Sequence, residues 1–101
     1  MKLIIAVVQP EELPDIKEEL LKRKIYKFTV SSAKGQGREI PVQEVYRGIS
    51  HEISLLTKIR LEIAVNDDYL DKAIEAITVI AKKPDNKGRG KIFVLPIEQC
   101  I

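Results

Sequence analysis

Hydrophobic and polar positions alternate along the chain with changing period, and each change marks an element. Lys2-Leu-Ile-Ile-Ala-Val-Val8 is a continuous apolar, largely β-branched run. Such a run predicts a central strand buried on both faces. Pro10 ends it. Leu13, Ile16, Leu20 and Leu21 follow at helical spacing with charges between them, which predicts an amphipathic helix of about three turns. Lys22, Arg23 and Lys24 fall in its last turn, where cations suit the helix dipole. Residues 27–34 start β-rich and predict a second strand. The third is the clearest: Ile59, Leu61, Ile63 and Val65 line one face, with Arg60, Glu62 and Ala64 on the other. Asn66 or Asp67 can cap a second helix, whose apolar face is Leu70, Ala73, Ile74, Ile77, Ile80 and Ala81. Pro84 stops it. Residues 91–95 form the last strand before Pro96.

The order β-α-β-β-α-β with right-handed crossovers predicts an α+β, ferredoxin-like fold. Its four-stranded antiparallel sheet has the order 4-1-3-2, with both helices on one face. Residues 1–101 form a single domain, as suits the length and the 45% hydrophobic content. One element exceeds this plan. Residues 36–57 join two strands of a hairpin, whereas hairpin loops usually have two to five residues. A mostly polar loop of this length in a small domain is usually functional or disordered. A monomer this small is marginally stable, so self-association would help it.

Composition narrows the chemistry. Charged residues are 32% of the chain, yet the net charge is only +2, without the dense basic patch of a nucleic-acid binder. Aromatics are 5%, so platforms for stacking bases are scarce. One cysteine, Cys100, excludes an internal disulfide, and with the single histidine, His51, it cannot make a Cys/His metal site. A reducing cytoplasm is the expected setting. The run at residues 3–8 is too short for a membrane span or a secretory signal. No serine or cysteine has a spaced His/Asp partner, so nucleophilic catalysis has no candidate.

Four of the glycines form two similar loops, Lys34-Gly-Gln-Gly-Arg38 and Lys87-Gly-Arg-Gly-Lys91. Glycine lets backbone approach a ligand and turn its N–H groups inward, and a flanking cation suits phosphate. Each loop alone reads equally as an ordinary turn; the repetition is what carries weight. In the order 4-1-3-2 the two loops lie at the same end of the sheet but on opposite edges, about 14 Å apart. One chain does not easily close both around one phosphate chain, whereas a neighbour in a closed ring can.

These segments, together with Glu44-Val-Tyr-Arg-Gly48, residues 58–65, residues 88–94 and the opening Met1–Pro10, resemble the P-II signal-transduction proteins, essentially end to end. The resemblance implies a homotrimer that binds ATP and ADP, with AMP a further candidate, at sites between subunits. It places adenine near Val7, Thr29, Gly35, Glu62 and Ala64. Phosphates fall near Gly37, Arg38, Gly88, Arg89, Gly90 and Lys91. The long loop, with Glu44, Tyr46, Arg47, Ser50 and His51, would dock onto a membrane transporter or metabolic enzyme, in the family often one of nitrogen metabolism. No nucleic acid or membrane insertion is implied.

Several positions depart from the family pattern. Glu39 stands where the family commonly has a glutamine that helps hold magnesium and 2-oxoglutarate. A carboxylate about 4 Å from that dianion costs up to ~4 kcal/mol at an effective dielectric of 20, and a third of this is already about tenfold in affinity. Pro41 also removes a loop N–H. Lys58 remains to pair with a carboxylate. The expectation is weak or absent 2-oxoglutarate sensing, softened if Glu39 binds magnesium directly; another small anion, such as bicarbonate, could take its place. His51 occupies the place of the tyrosine that some members uridylylate, and Ser50 lies near a position phosphorylated in others. The family's basic tail after the last strand is not present before Ile101. Two other readings share the fold. A trimeric metal-tolerance protein is disfavoured by the single histidine and cysteine. An acylphosphatase-like enzyme needs an arginine-centred phosphate loop that Gln9-Pro10-Glu11 does not supply.

Overall fold

The computed structural model describes residues 1–36, 55–81 and 91–101. Strand β1 (Lys2–Val8) leads through a short 3-10 turn (Pro10–Glu12) into helix α1 (Leu13–Lys22). Strands β2 (Thr29–Gly35) and β3 (Leu56–Val65) follow, then helix α2 (Asp67–Ala81) and strand β4 (Lys91–Pro96). The strands form one sheet of order β2-β3-β1-β4, with every neighbouring pair antiparallel. This is the expected ferredoxin-like order.

The 3.6-residue and two-residue periods meet in one core. Ile4, Ala6 and Val8 of β1 lie opposite Ile63, Leu61 and Ile59 of β3. All are buried, together with Ile16 and Leu20 of α1 and Ala73, Ala76 and Ile77 of α2. Ala76 extends the apolar stripe expected on α2; its small side chain lets the helix sit close to its neighbours. Among the described residues, the other face of the sheet carries no helix. Leu3, Ile5 and Val7 on that face are only half-buried, so the expectation that β1 is buried on both faces holds for its central place but not for its second face. Strand β4 is exposed on both sides: Phe93 is 50% accessible, Val94 and Leu95 42% each.

Local chemistry fixes the turns. Gln9 N–H donates to Glu12 Oε1 at 2.8 Å, and this reciprocal capping box turns β1 into α1. At the end of α1, Lys24 N–H donates to the Leu21 carbonyl and Ile25 N–H to the Leu20 carbonyl, the 5→2 and 6→1 bonds of a Schellman motif. Lys24 takes the left-handed position at φ 62° that glycine usually fills, while Ile25 drops into the core beside Leu20. Arg23 serves more than the helix dipole. It pairs with Glu19 at 2.6 Å and reaches Glu75 of α2 at 3.4 Å, linking the helices. The predicted strand at 27–34 begins later, at Thr29, and β3 begins earlier, at Leu56. The β2–β3 connection is therefore 36–55 rather than 36–57, because Gly35 still pairs with Leu56 and Lys34 with Thr57.

Candidate functional site

Side chains alternate across a strand, so register decides which residues can act together. Val7 lies opposite both Arg60 on β3 and Lys91 on β4. Glu62 lies opposite Ile5 on one side and Thr29 on the other. Ala64 and Lys58 are even-numbered neighbours of Glu62 on the same strand, and Gly35 shares parity with Thr29 along β2. Val7, Thr29, Gly35, Lys58, Glu62, Ala64 and Lys91 therefore all stand on the helix-free face. The other sequence-expected residues, Gly37, Arg38, Glu39, Glu44, Tyr46, Arg47, Ser50, His51, Gly88, Arg89 and Gly90, lie outside the described residues.

The helix-free face holds these residues in distinct environments. Lys58 is buried despite its charge. Its stem lies across Gly35, where an added Cβ would come within 3.3 Å of Lys58 Cγ. Gly35 thus admits the lysine stem, a close approach that any side chain would tighten. Lys34, the cation before the first glycine, faces the opposite side of the sheet. Its ammonium donates to Thr57 Oγ1 at 2.7 Å, so it ties the strands together where the connecting loop departs. Arg60 Nε donates to Glu62 Oε1 at 3.3 Å on the helix-free face. Arg60 was read from the sequence only as a face position; its spacing of two from Glu62 was the signal for this pairing.

Register also refines the separation of Gly35 and Lys91, where the two glycine motifs join the sheet. They lie on opposite edges towards the same end, as expected. Lys91, however, is level with Ser31 through Val7 and Arg60, and Gly35 lies four residues beyond Ser31. The offset along the strands is about 13 Å, in addition to about 14 Å across them. The two edges of one chain are therefore further apart than strand order alone implied, too far to grip one small anion together.

Among the described residues there is no group of His, Cys, Asp and Glu side chains placed to hold a metal ion. Glu39 is outside them. No helix among them is long and apolar enough to cross a membrane.

Comparison with known proteins adds an independent finding. The family model for nitrogen regulatory protein P-II matches residues 1–101. The chain is 47% identical over 102 residues to nitrogen regulatory protein GlnK1 of Methanosarcina mazei, a match covering 100% of this chain and 87% of that one. It is 39% identical over 101 residues to nitrogen regulatory protein P-II of Cereibacter sphaeroides, covering 100% and 89%. With nitrogen regulatory protein P-II 2 of Methanothermobacter thermautotrophicus it shares 37% identity over 101 residues, covering 100% and 87%.

Proposed function

The chain belongs to the nitrogen regulatory protein P-II family, whose members are signal-transduction regulators and not enzymes, and from that premise we propose that it senses adenine nucleotides at sites shared between neighbouring copies in a homotrimer. The observation that carries the reading is the common face of Val7, Thr29, Gly35, Lys58, Glu62, Ala64 and Lys91.

Two further observations favour a site completed by a second copy. Gly35 and Lys91, where the two glycine motifs join the sheet, stand on opposite edges, offset both along and across it. The edge strand that leads out of the second loop is apolar and exposed, with Phe93, Val94 and Leu95 each two-fifths or more accessible. Covering such side chains gains on the order of 1 kcal/mol each. A ring of copies covers this strand and brings Lys91, with Gly88, Arg89 and Gly90 before it, towards the Gly37–Arg38 loop of a neighbour. ATP and ADP compete for that site, and AMP is a further ligand to test.

The long loop, with Glu44, Tyr46, Arg47, Ser50 and His51, carries the signal to a transporter or metabolic enzyme in the cytoplasm. Glu39 disfavours 2-oxoglutarate by like-charge repulsion, and any magnesium held with the nucleotide would take Glu39 as a carboxylate ligand.

Isothermal titration with ATP, ADP and AMP, each with and without magnesium and 2-oxoglutarate, tests this reading. The expected result is a micromolar Kd at about one site per chain, about −8 kcal/mol, with little response to 2-oxoglutarate. A folded protein that binds none of the three nucleotides overturns it.

A further inference from the structure

The helix-free face divides into two strips. Across β1 and β4 it is apolar: Leu3, Ile5, Val7, Phe93 and Leu95 lie in register there. Across β3 and β2 it is polar: Glu62 stands opposite Thr29 and Arg60 opposite Ser31. A nucleobase has the same division, an apolar ring face and an edge of donors and acceptors, and ligand sites commonly pair apolar walls with a few polar groups that fix orientation.

Within the polar strip, Arg60 and Glu62 are joined. Arg60 Nε reaches Glu62 Oε1 at 3.3 Å, and the side chains are 45% and 40% exposed, so the pair is open to a ligand. A glutamate alone on an open sheet swings among several rotamers. Once one oxygen is held, the carboxylate plane is restrained and the second oxygen is directed. We infer that Arg60 is a positioning residue of the nucleotide site, holding one oxygen of Glu62 so that the other accepts a hydrogen bond from the amino edge of adenine. This inference rests on the nucleotide-sensing reading above.

The chemistry gives a directional consequence. An ionised carboxylate only accepts hydrogen bonds. It favours the amino group of adenine and opposes the carbonyl oxygen of guanine at the same edge. A site built to bond one group discriminates against an analogue without it. The guanidinium also attracts the phosphates of any nucleotide, but that attraction treats ATP and GTP alike. The ratio of the two affinities therefore reports positioning, and their common change reports charge.

Titration of the full chain with ATP and with GTP, for the unsubstituted protein, Arg60→Met, Arg60→Lys and Lys17→Gln, makes the distinction. Lys17 is on the exposed side of α1 and controls for the loss of one positive charge. The expected preference for ATP over GTP falls about tenfold in R60M, which has no donor for Glu62. It stays within about threefold of the unsubstituted protein in R60K, whose ammonium can still hold Glu62, and does not change in K17Q. Circular dichroism melting of R60M is expected to match the unsubstituted protein, since an exposed ion pair contributes little to folding. An ATP-to-GTP ratio unchanged in R60M, whether both affinities fall together or neither moves, overturns the inference while leaving nucleotide sensing intact. A chain that binds neither nucleotide removes the sensing reading itself, and this inference with it.

Discussion

The two faces of the sheet are made from the same strands and share almost nothing else. On one, Ile4, Ala6, Val8, Leu61 and Ile63 meet the helices and are fully or almost fully buried. On the other, Leu3, Ile5 and Val7 remain half-covered, next to a polar strip of Thr29, Ser31, Arg60 and Glu62. The first face is completed by the chain's own helices. The second has enough apolar surface to seek a cover and enough polar surface to be selective about what covers it. Substitutions on the first face should therefore be read in folding, and those on the second in the assembly and ligand binding proposed above.

The contrast can be attacked first on the covered face. Ile63→Ala removes a fully buried side chain opposite Ile4, and urea unfolding should show a loss of about 2–5 kcal/mol. A loss below about 1 kcal/mol would mean that this face is far looser than its burial indicates. Phe93→Asp, on the open side, should leave the far-ultraviolet spectrum of a folded chain while sedimentation shows the mass of one chain instead of the proposed three. An unchanged assembly would show that it does not use β4.

Smaller effects sharpen the boundary. Lys24→Gly relieves a left-handed backbone at the turn between α1 and β2 and should raise stability by about 0.5–1 kcal/mol, read as a higher urea midpoint with nucleotide affinity unchanged. The smallest effect concerns Asp67, whose carboxyl is held below its ordinary value by a hydrogen bond from the Met1 ammonium at 3.1 Å. Because the folded value is the lower one, the stabilisation is present above the unfolded carboxylate value and is lost as pH falls through the folded value. Asp67→Asn should flatten the acid limb of a stability–pH profile in that range. An unchanged limb would mean that this exposed pair contributes nothing measurable.

The covered face was legible because each of its strands and helices has a period that one chain can satisfy. Ile59, Leu61, Ile63 and Val65 alternate, and Ala73 and Ile77 repeat at four. The continuous run of β1 was harder to read. It demands burial on both sides, and within one chain only Ile4, Ala6 and Val8 obtain it. In the proposed ring, the half-covered Leu3, Ile5 and Val7 are the part of that run left for a neighbour to cover. At the site, the common face of Val7, Thr29 and Glu62 follows from register, which rests on strand ends that sequence places only to within a residue or two. That uncertainty is why β3 proved longer at its start and why the axial offset of Lys91 from Gly35 was not foreseen. The engagement of Lys34 with Thr57 was equally hidden, since a lysine beside a glycine motif invites a phosphate reading until its parity along the strand is known.

That axial and lateral offset has a consequence for mixed populations. In the proposed ring, a chain with complementary half-sites on opposite edges acts as donor to one neighbour and acceptor to the other. Damage to the β2 half therefore silences one junction of each damaged chain and leaves the opposite junction competent. Two inactive variants, one crippled near Gly35 and the other near Lys91, should thus restore part of each other's activity when co-assembled, as some junctions then join two undamaged halves. A population of cells carrying both would behave better than either alone, and the recovered fraction would follow the statistics of random ring assembly.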